Sequence, residues 1–318
     1  MKIAFFGTKD YDQTHFEEAN HSHEITFFRP KLSEQTVVMA QGFDAVCVFV
    51  NDEVGTSVVE KLAAYGIKHI LLRCAGFNNV DLAKAQELGI TVARVPGYSP
   101  EAVAEHAISI LMAANRRIPR AYNKVKNNDY SLNTLEGKNL FQKTAGIVGT
   151  GKIGQAMIRI LRGFGMEILA YDPYPNEALA KELGYTYVSF EELLKASDVI
   201  SLHCPLTKEN THLLNRETMS LMKDGVMLVN TSRGGLINTE ALIDMIKQGK
   251  FHCVALDVYE EEGSTVFEDM SGEILEHTTT ARLTSFPNVV LTSHQGFFTS
   301  EALQEIAKVT IQNADAME

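Results

Sequence analysis

The stretch Thr144-Ala-Gly-Ile-Val-Gly-Thr-Gly-Lys-Ile-Gly154 decides the fold of this 318-residue chain. A short apolar run enters Gly149-Thr-Gly151-Lys-Ile-Gly154. A helical pattern follows from Gln155 to Gly163, and a second apolar run, Glu167-Ile-Leu-Ala-Tyr171, ends in Asp172. Strand, glycine-rich turn, helix and strand-terminal acid in that order predict a βαβ unit that binds a dinucleotide. Gly149 permits the tight turn, Gly151 lets the backbone approach a pyrophosphate, and Gly154 allows the helix to pack closely on the strand. The helix start offers unpaired N–H groups and a partial positive charge. Asp172 is placed to accept hydrogen bonds from ribose hydroxyls and to repel a 2′-phosphate, so the expected cofactor is NAD rather than NADP. Asp172-Pro-Tyr-Pro-Asn176 is also good turn chemistry, and both readings hold together.

Strand-like runs precede the motif at Lys2–Phe6, Ile25–Phe28, Ala45–Val50, His69–Leu72 and Thr91–Arg94, with helical patterns between several of them. After it, strands are expected near Val199–Leu202, Val226–Asn230, Cys253–Asp257 and Val289–Leu291, and helices near Glu191–Ala196, Arg216–Met222 and Thr239–Gln248. Such alternation predicts an α/β protein with two doubly wound parallel sheets. Pro100–Asn115 starts with a helix-opening proline and is apolar on more than one face, so it should be a buried helix, with a second subunit as one candidate to cover it. The last helix, Ser300 to Met317, would return to the first domain. The expected division is residues 1–99 plus 298–318 for substrate and 100–297 for the nucleotide.

With 45% hydrophobic and 22% charged residues the chain is an ordinary globular protein. A formal net charge of −11 argues against nucleic acid or an anionic membrane as a partner, since both are polyanions. No apolar run approaches the roughly 18–20 residues of a membrane helix. Cys47, Cys74, Cys204 and Cys253 lack C-x-x-C spacing and read as buried thiols in a reducing cytoplasm.

A nicotinamide enzyme needs one group to hold the substrate's anion and another to exchange a proton with the oxygen at the reacting carbon. In open α/β sheets such groups lie beyond the carboxyl ends of strands. Three residues fit. Arg233 follows the run Val226–Ser232, Glu262 follows Cys253–Tyr259, and His294 follows Val289–Ser293. A guanidinium binds a carboxylate in bidentate fashion, a histidine titrates near neutrality, and a glutamate beside it would orient an imidazolium. Singly, each is as well read as a surface arginine, a loop histidine or a solvated acid. On one rim they complement each other. His21 and His23 lack a further ligand for a metal, and no metal is expected. His106 reads as a hydrogen-bonded core or interface group, and His203 as a lining residue.

At these residues the chain resembles the D-isomer-specific 2-hydroxyacid dehydrogenase family, and within it the bacterial lactate branch. The resemblance runs through Leu71-Leu-Arg-Cys-Ala-Gly-Phe-Asn-Asn-Val-Asp81, Val95–Tyr98, Ala104–Ala107, Gly149–Gly154, Ser201–Leu206, Val229–Gly234, Leu256–Tyr259 and His294–Thr299. It implies a Rossmann-type NAD domain inserted into a flavodoxin-like substrate domain. The implied reaction is reversible, NADH-dependent reduction of a small 2-keto acid, pyruvate to D-lactate, or of a larger branched or aromatic analogue. A binding protein that senses NAD(H) without turnover is the alternative from another class. By the resemblance Arg233 binds the substrate carboxylate, His294 gives the proton and Glu262 pairs with His294. The backbone at Ala75 and Gly76, and Tyr98, would also touch substrate. Lys152, Ile153, Asp172, Cys204, Pro205, Asn210, Thr231, Ser232 and Asp257 would join the glycines in holding the cofactor. A homodimer built through the nucleotide domains is implied as well. Two departures stand out: Glu262 precedes Gly263 where many relatives have proline, and Gly296 stands where alanine is common. The chain also stops sooner after its last helix than many relatives, which leaves the docking of that helix as an expectation.

Overall fold

In the computed structural model, which describes residues 1–262, 266–267, 269–273 and 278–318, all strand pairing among the described residues is parallel. The strands are β1 (Lys2–Phe5), β2 (Glu24–Phe27), β3 (Ala45–Val48), β4 (His69–Leu72), β5 (Thr91–Arg94), β6 (Thr144–Val148), β7 (Glu167–Tyr171), β8 (Thr186–Tyr187), β9 (Val199–Leu202), β10 (Val226–Asn230), β11 (Phe251–Leu256) and β12 (Val289–Leu291). They form a five-stranded sheet ordered β2-β1-β3-β4-β5 and a seven-stranded sheet ordered β12-β11-β10-β9-β6-β7-β8. Both orders are doubly wound, the first of flavodoxin type and the second of Rossmann type, and each reverses beside the first strand of its sheet.

The chain divides into two compact units, Met1–Ser99 with Phe298–Glu318, and Pro100–Phe297. In the first, β3 and the end of β4 are buried throughout, and Phe5 and Phe6 are fully enclosed. The helix Ser300–Asp315 packs along Asp10–Ala19, and the Met1 ammonium meets the Glu318 carboxylate at 2.9 Å. In the second unit, helices cover both faces of the sheet, which is why β9 and β10 are buried at every position rather than at alternate ones. Ile147, Val229 and Ala255 face one core, shared with the helices Pro100–Asn115 and Lys152–Gly163. Val148, Leu228 and Val254 face the other, shared with Thr239–Lys247. Each fully buried Val, Leu or Ile contributes about 1.5–3 kcal/mol.

The strands lie where the apolar runs place them, with ends shifted by one or two residues. Other elements differ from expectation. The helix after the glycine turn begins at Lys152, three residues before Gln155, because Gly151 already takes the extended N-cap conformation. Pro100–Asn115 is covered within its own unit by Lys152–Gly163 and strands β10 and β11. The helices Glu177–Leu183 and Thr278–Ser285 and the two-residue β8 lie outside the expected elements, as does Ile118–Lys126, although its apolar residues keep helical spacing. The four cysteines are buried, and none forms a disulfide.

Candidate active site

The ends of β6, β7, β9 and β10 build a cradle around the point where the second sheet reverses. Gly149 takes φ +95°, and a Cβ there would run into the backbone of His203 and Cys204, so the turn and the loop after β9 touch through a missing side chain. Gly151 faces open space in front of the helix start, with nothing within 4 Å of where its Cβ would stand. Lys152, Ile153 and Gly154 form that helix's first turn. Asp172 ends β7, and its Oδ2 accepts from Thr150 N (2.8 Å) and Thr150 Oγ1 (3.0 Å).

The neighbouring loop is stitched in place. Ser232 Oγ donates to the Cys204 carbonyl (2.6 Å), and Asn210 Nδ2 donates to the Pro205 carbonyl (2.7 Å) while its Oδ1 accepts from Thr207 N (2.7 Å). Thr231 Oγ1 is buried with no hydrogen-bond partner among the described residues. A buried hydroxyl left unpaired is costly, and a ligand's polar group at the strand end would satisfy it. The open helix start, the acid at the end of β7 and this hydroxyl suit an NAD molecule.

Arg233 follows β10 in extended conformation, its Nη1 donating to the Ser232 carbonyl at 2.7 Å. The next residue must be glycine, because a Cβ on Gly234 would overlap the Tyr259 carbonyl. That close approach sets the Arg233 segment against the loop that carries three consecutive glutamates. The three acids diverge. Glu260 accepts from His212 Nε2 (2.6 Å) and Thr239 N (2.8 Å), and Glu261 accepts from the Thr279 hydroxyl. Glu262 Oε1 lies 3.1 Å from His294 Nδ1.

His294 has φ 50°, the left-handed region that a non-glycine residue rarely occupies. What holds it there is Asp257. Its carbonyl accepts from His294 N (2.7 Å), and its carboxylate accepts from Gln295 N (3.0 Å), Gly296 N (2.8 Å), the Thr292 hydroxyl and His106 Nε2 (3.1 Å). Burial pushes the Asp257 carboxyl up, but the donors from His106, Thr292 and the backbone outweigh it and leave its pKa below the ordinary range. So Asp257, read from sequence as a cofactor contact, is at 1% exposure also the anchor of the histidine loop. A Cβ on Gly296 would lie 3.0 Å from Asp257 Oδ2, which is the physical content of glycine in place of alanine there. His106, read from sequence as a hydrogen-bonded core or interface group, finds its partner in Asp257, while Thr292 carried no sign of this role.

The residues read as substrate contacts lie in the first unit. Ala75 and Gly76 follow β4, their carbonyls accepting from Arg94 Nη1 (2.6 Å) and Cys74 Sγ (3.2 Å), and Tyr98 lies half-buried beyond β5. His203 Nε2 pairs with Ser201 Oγ (2.8 Å), and burial pushes its pKa down to about 4, so it is neutral at physiological pH.

Residues 108–296 match the model of the D-isomer specific 2-hydroxyacid dehydrogenase NAD binding domain. A 2-hydroxyacid dehydrogenase homolog of Haemophilus influenzae is 54% identical over 98% of this chain and 95% of its own length. The D-lactate dehydrogenase of Escherichia coli is 51% identical over 100% of this chain and 97% of its own. The solved apo-structure of D-lactate dehydrogenase from Escherichia coli superposes with a TM-score of 0.90, at 50% identity over 100% of this chain and 96% of that one.

Proposed function

The chain belongs to the D-isomer-specific 2-hydroxyacid dehydrogenase family, and from that premise we propose that it reduces pyruvate to D-lactate with NADH, reversibly. The observation that carries the chemistry is the 3.1 Å contact between His294 Nδ1 and Glu262 Oε1 at the end of a strand of the NAD-binding sheet. NADH, when bound, supplies the hydride. Arg233 holds the substrate carboxylate through its guanidinium fork. His294 donates Nδ1–H to Glu262, which leaves Nε2 as the nitrogen that gives its proton to the keto oxygen. Glu262 stabilises the imidazolium and fixes its ring. The backbone at Ala75 and Gly76, together with Tyr98, completes the hold on the substrate in this reading. Lys152, Ile153, Cys204, Pro205, Asn210, Thr231, Ser232 and Asp257 line the cofactor, with Asp172 on the ribose.

NADH oxidation measured in parallel with pyruvate, 4-methyl-2-oxopentanoate and phenylpyruvate tests the reading. Fastest turnover with pyruvate, giving a product consumed only by a D-specific lactate reagent, is the expected result. Preference for a bulky keto acid would keep the chemistry and change the substrate. NADH binding with no turnover on any of the three would make the protein a sensor.

We also infer a homodimer formed through the nucleotide unit. The helix Ile118–Lys126 buries none of its residues. Ile118, Tyr122 and Val125 recur on one helical face and, with Tyr130, Leu132 and Phe141 nearby in sequence, leave large apolar side chains 52–82% exposed. Tyr122→Glu combined with Leu132→Glu should convert the sedimenting species from dimer to monomer. A double variant that sediments as a dimer would move the interface elsewhere. Among the described residues no helix is long and apolar enough to cross a membrane. Four buried cysteines outside any disulfide agree with a reducing cytoplasm as the compartment.

A further inference from the structure

The acid at the end of β7 terminates a chain of hydroxyl groups whose direction is fixed by elementary chemistry. An ionised carboxylate only accepts, so the single proton of Thr150 Oγ1 is directed to Asp172 Oδ2, 3.0 Å away. Thr150 Oγ1 must then accept from the Tyr187 phenol at 2.8 Å. With its own proton spent, Tyr187 Oη accepts from the Asn176 backbone N–H (3.1 Å) and from the Tyr185 phenol (3.0 Å). Burial, and then the bond to Tyr187, hold the Tyr185 phenol well above its ordinary pKa, so the first donor of the series stays protonated. The proton order is therefore one-way, Tyr185 to Tyr187 to Thr150 to Asp172, and bonds in such a series polarise and strengthen one another.

The carboxylate is thus held by three donors: Thr150 N and Thr150 Oγ1 on Oδ2, and Tyr174 N on Oδ1 at 2.9 Å. Two of the three are set by Tyr187. Its hydroxyl orients Thr150, and by accepting from Asn176 N it also ties down the Asp172–Asn176 turn that carries Tyr174. This gives β8 a use: two residues of edge strand deliver one hydroxyl to the glycine turn.

We propose that Tyr187, acting through Thr150, is a positioning residue for cofactor selectivity: it locks the Asp172 carboxylate where a nucleotide ribose with both hydroxyls free is accepted and a 2′-phosphorylated one is rejected. The proposal rests on reading Asp172 as the ribose partner. Without the Tyr187 hydroxyl, Thr150 loses the donor that orients it and the carboxylate gains freedom to turn. A ribose then meets a less prepared acceptor, and a 2′-phosphate meets a negative charge that can move aside.

The test compares Tyr187→Phe, Thr150→Val and Asp172→Ala in the full-length enzyme, measuring kcat and KM for NADH and for NADPH at saturating pyruvate. Tyr187→Phe and Thr150→Val should each raise KM for NADH about tenfold, the scale of one hydrogen bond to a charged acceptor, with little change in kcat. Each should raise the NADPH-to-NADH ratio of kcat/KM. Neither should add to the effect of Asp172→Ala when combined with it, since they act through the same carboxylate. A loss shared equally by both cofactors, or an unchanged ratio beside an impaired Asp172→Ala, would overturn the relay. An Asp172→Ala enzyme with native NADH affinity would instead remove the ribose reading on which the proposal stands. Should Tyr187→Phe fail to fold, Thr150→Val decides alone, because it deletes the relay and keeps the backbone N–H.

Discussion

Replacing His294 with alanine is expected to lower kcat for pyruvate reduction by about 10²–10⁴, the range that a positioned general acid supplies, while NADH still binds. The proton to the keto oxygen has one assigned source. His294 Nδ1 is engaged with Glu262, and Nε2 is the nitrogen left to exchange a proton. The cofactor cradle is made by other residues, so stopped turnover with intact NADH binding is the signature of a missing acid rather than of a damaged site. The reverse reaction adds a second check. His294 gives a proton in reduction and takes one in oxidation of D-lactate, so its loss should slow both directions. An alanine enzyme with near-native kcat in either direction would take His294 out of the mechanism.

Arg233→Gln carries the second large effect, an expected fall of about 10²–10³ in kcat/KM for pyruvate with NADH affinity unchanged. Removing one member of a desolvated charge pair costs about 2–5 kcal/mol, because the partner is left without its counter-charge. The loss should appear mainly in KM, since the carboxylate is present in substrate and transition state alike. Arg233→Lys should recover only part of it: the charge returns, but the planar two-pronged geometry does not. If Arg233→Lys equals the native enzyme, or if Arg233→Gln leaves kcat/KM within a few-fold, the guanidinium is not the anion holder.

The parts of this molecule that could be read from residues alone are those encoded locally. Val226–Val229 is an unbroken apolar run because its sheet is covered on both faces, and Pro100 sits at the first turn of its helix because proline suits that position. Gly149 and Gly154 of the turn after β6 announce themselves because no other residue tolerates the backbone contacts they make. Elements that depend on distant partners were not legible. β8 is two residues long and exists only against β7. The helix Ile118–Lys126 carries Ile118, Tyr122 and Val125 at helical spacing but buries none of them, so no packing partner in its own unit marked it out.

In the site, the order of strands predicted which rim would carry the chemistry. It could not say which of three adjacent glutamates faces the histidine. That depends on groups brought in from elsewhere in the chain: Thr279 claims Glu261, while Thr239 and His212 both claim Glu260. The left-handed backbone at His294 was equally silent, since Asp257 imposes it from the adjacent strand.

The four cysteines turn the folded chain into its own reporter of opening. Cys47 and Cys74 belong to one compact unit, Cys204 and Cys253 to the other. Burial pushes the thiols of Cys47 and Cys253 up to about 12 and that of Cys204 to about 11, so the reactive thiolate is essentially absent at neutral pH while the surrounding core is closed. A thiol-specific reagent can therefore modify only molecules whose packing has transiently come apart, and the position of the label records which unit let it in. Peptide mapping of the label over time would separate the opening free energies of the two halves in a single sample, with no probe engineered into either.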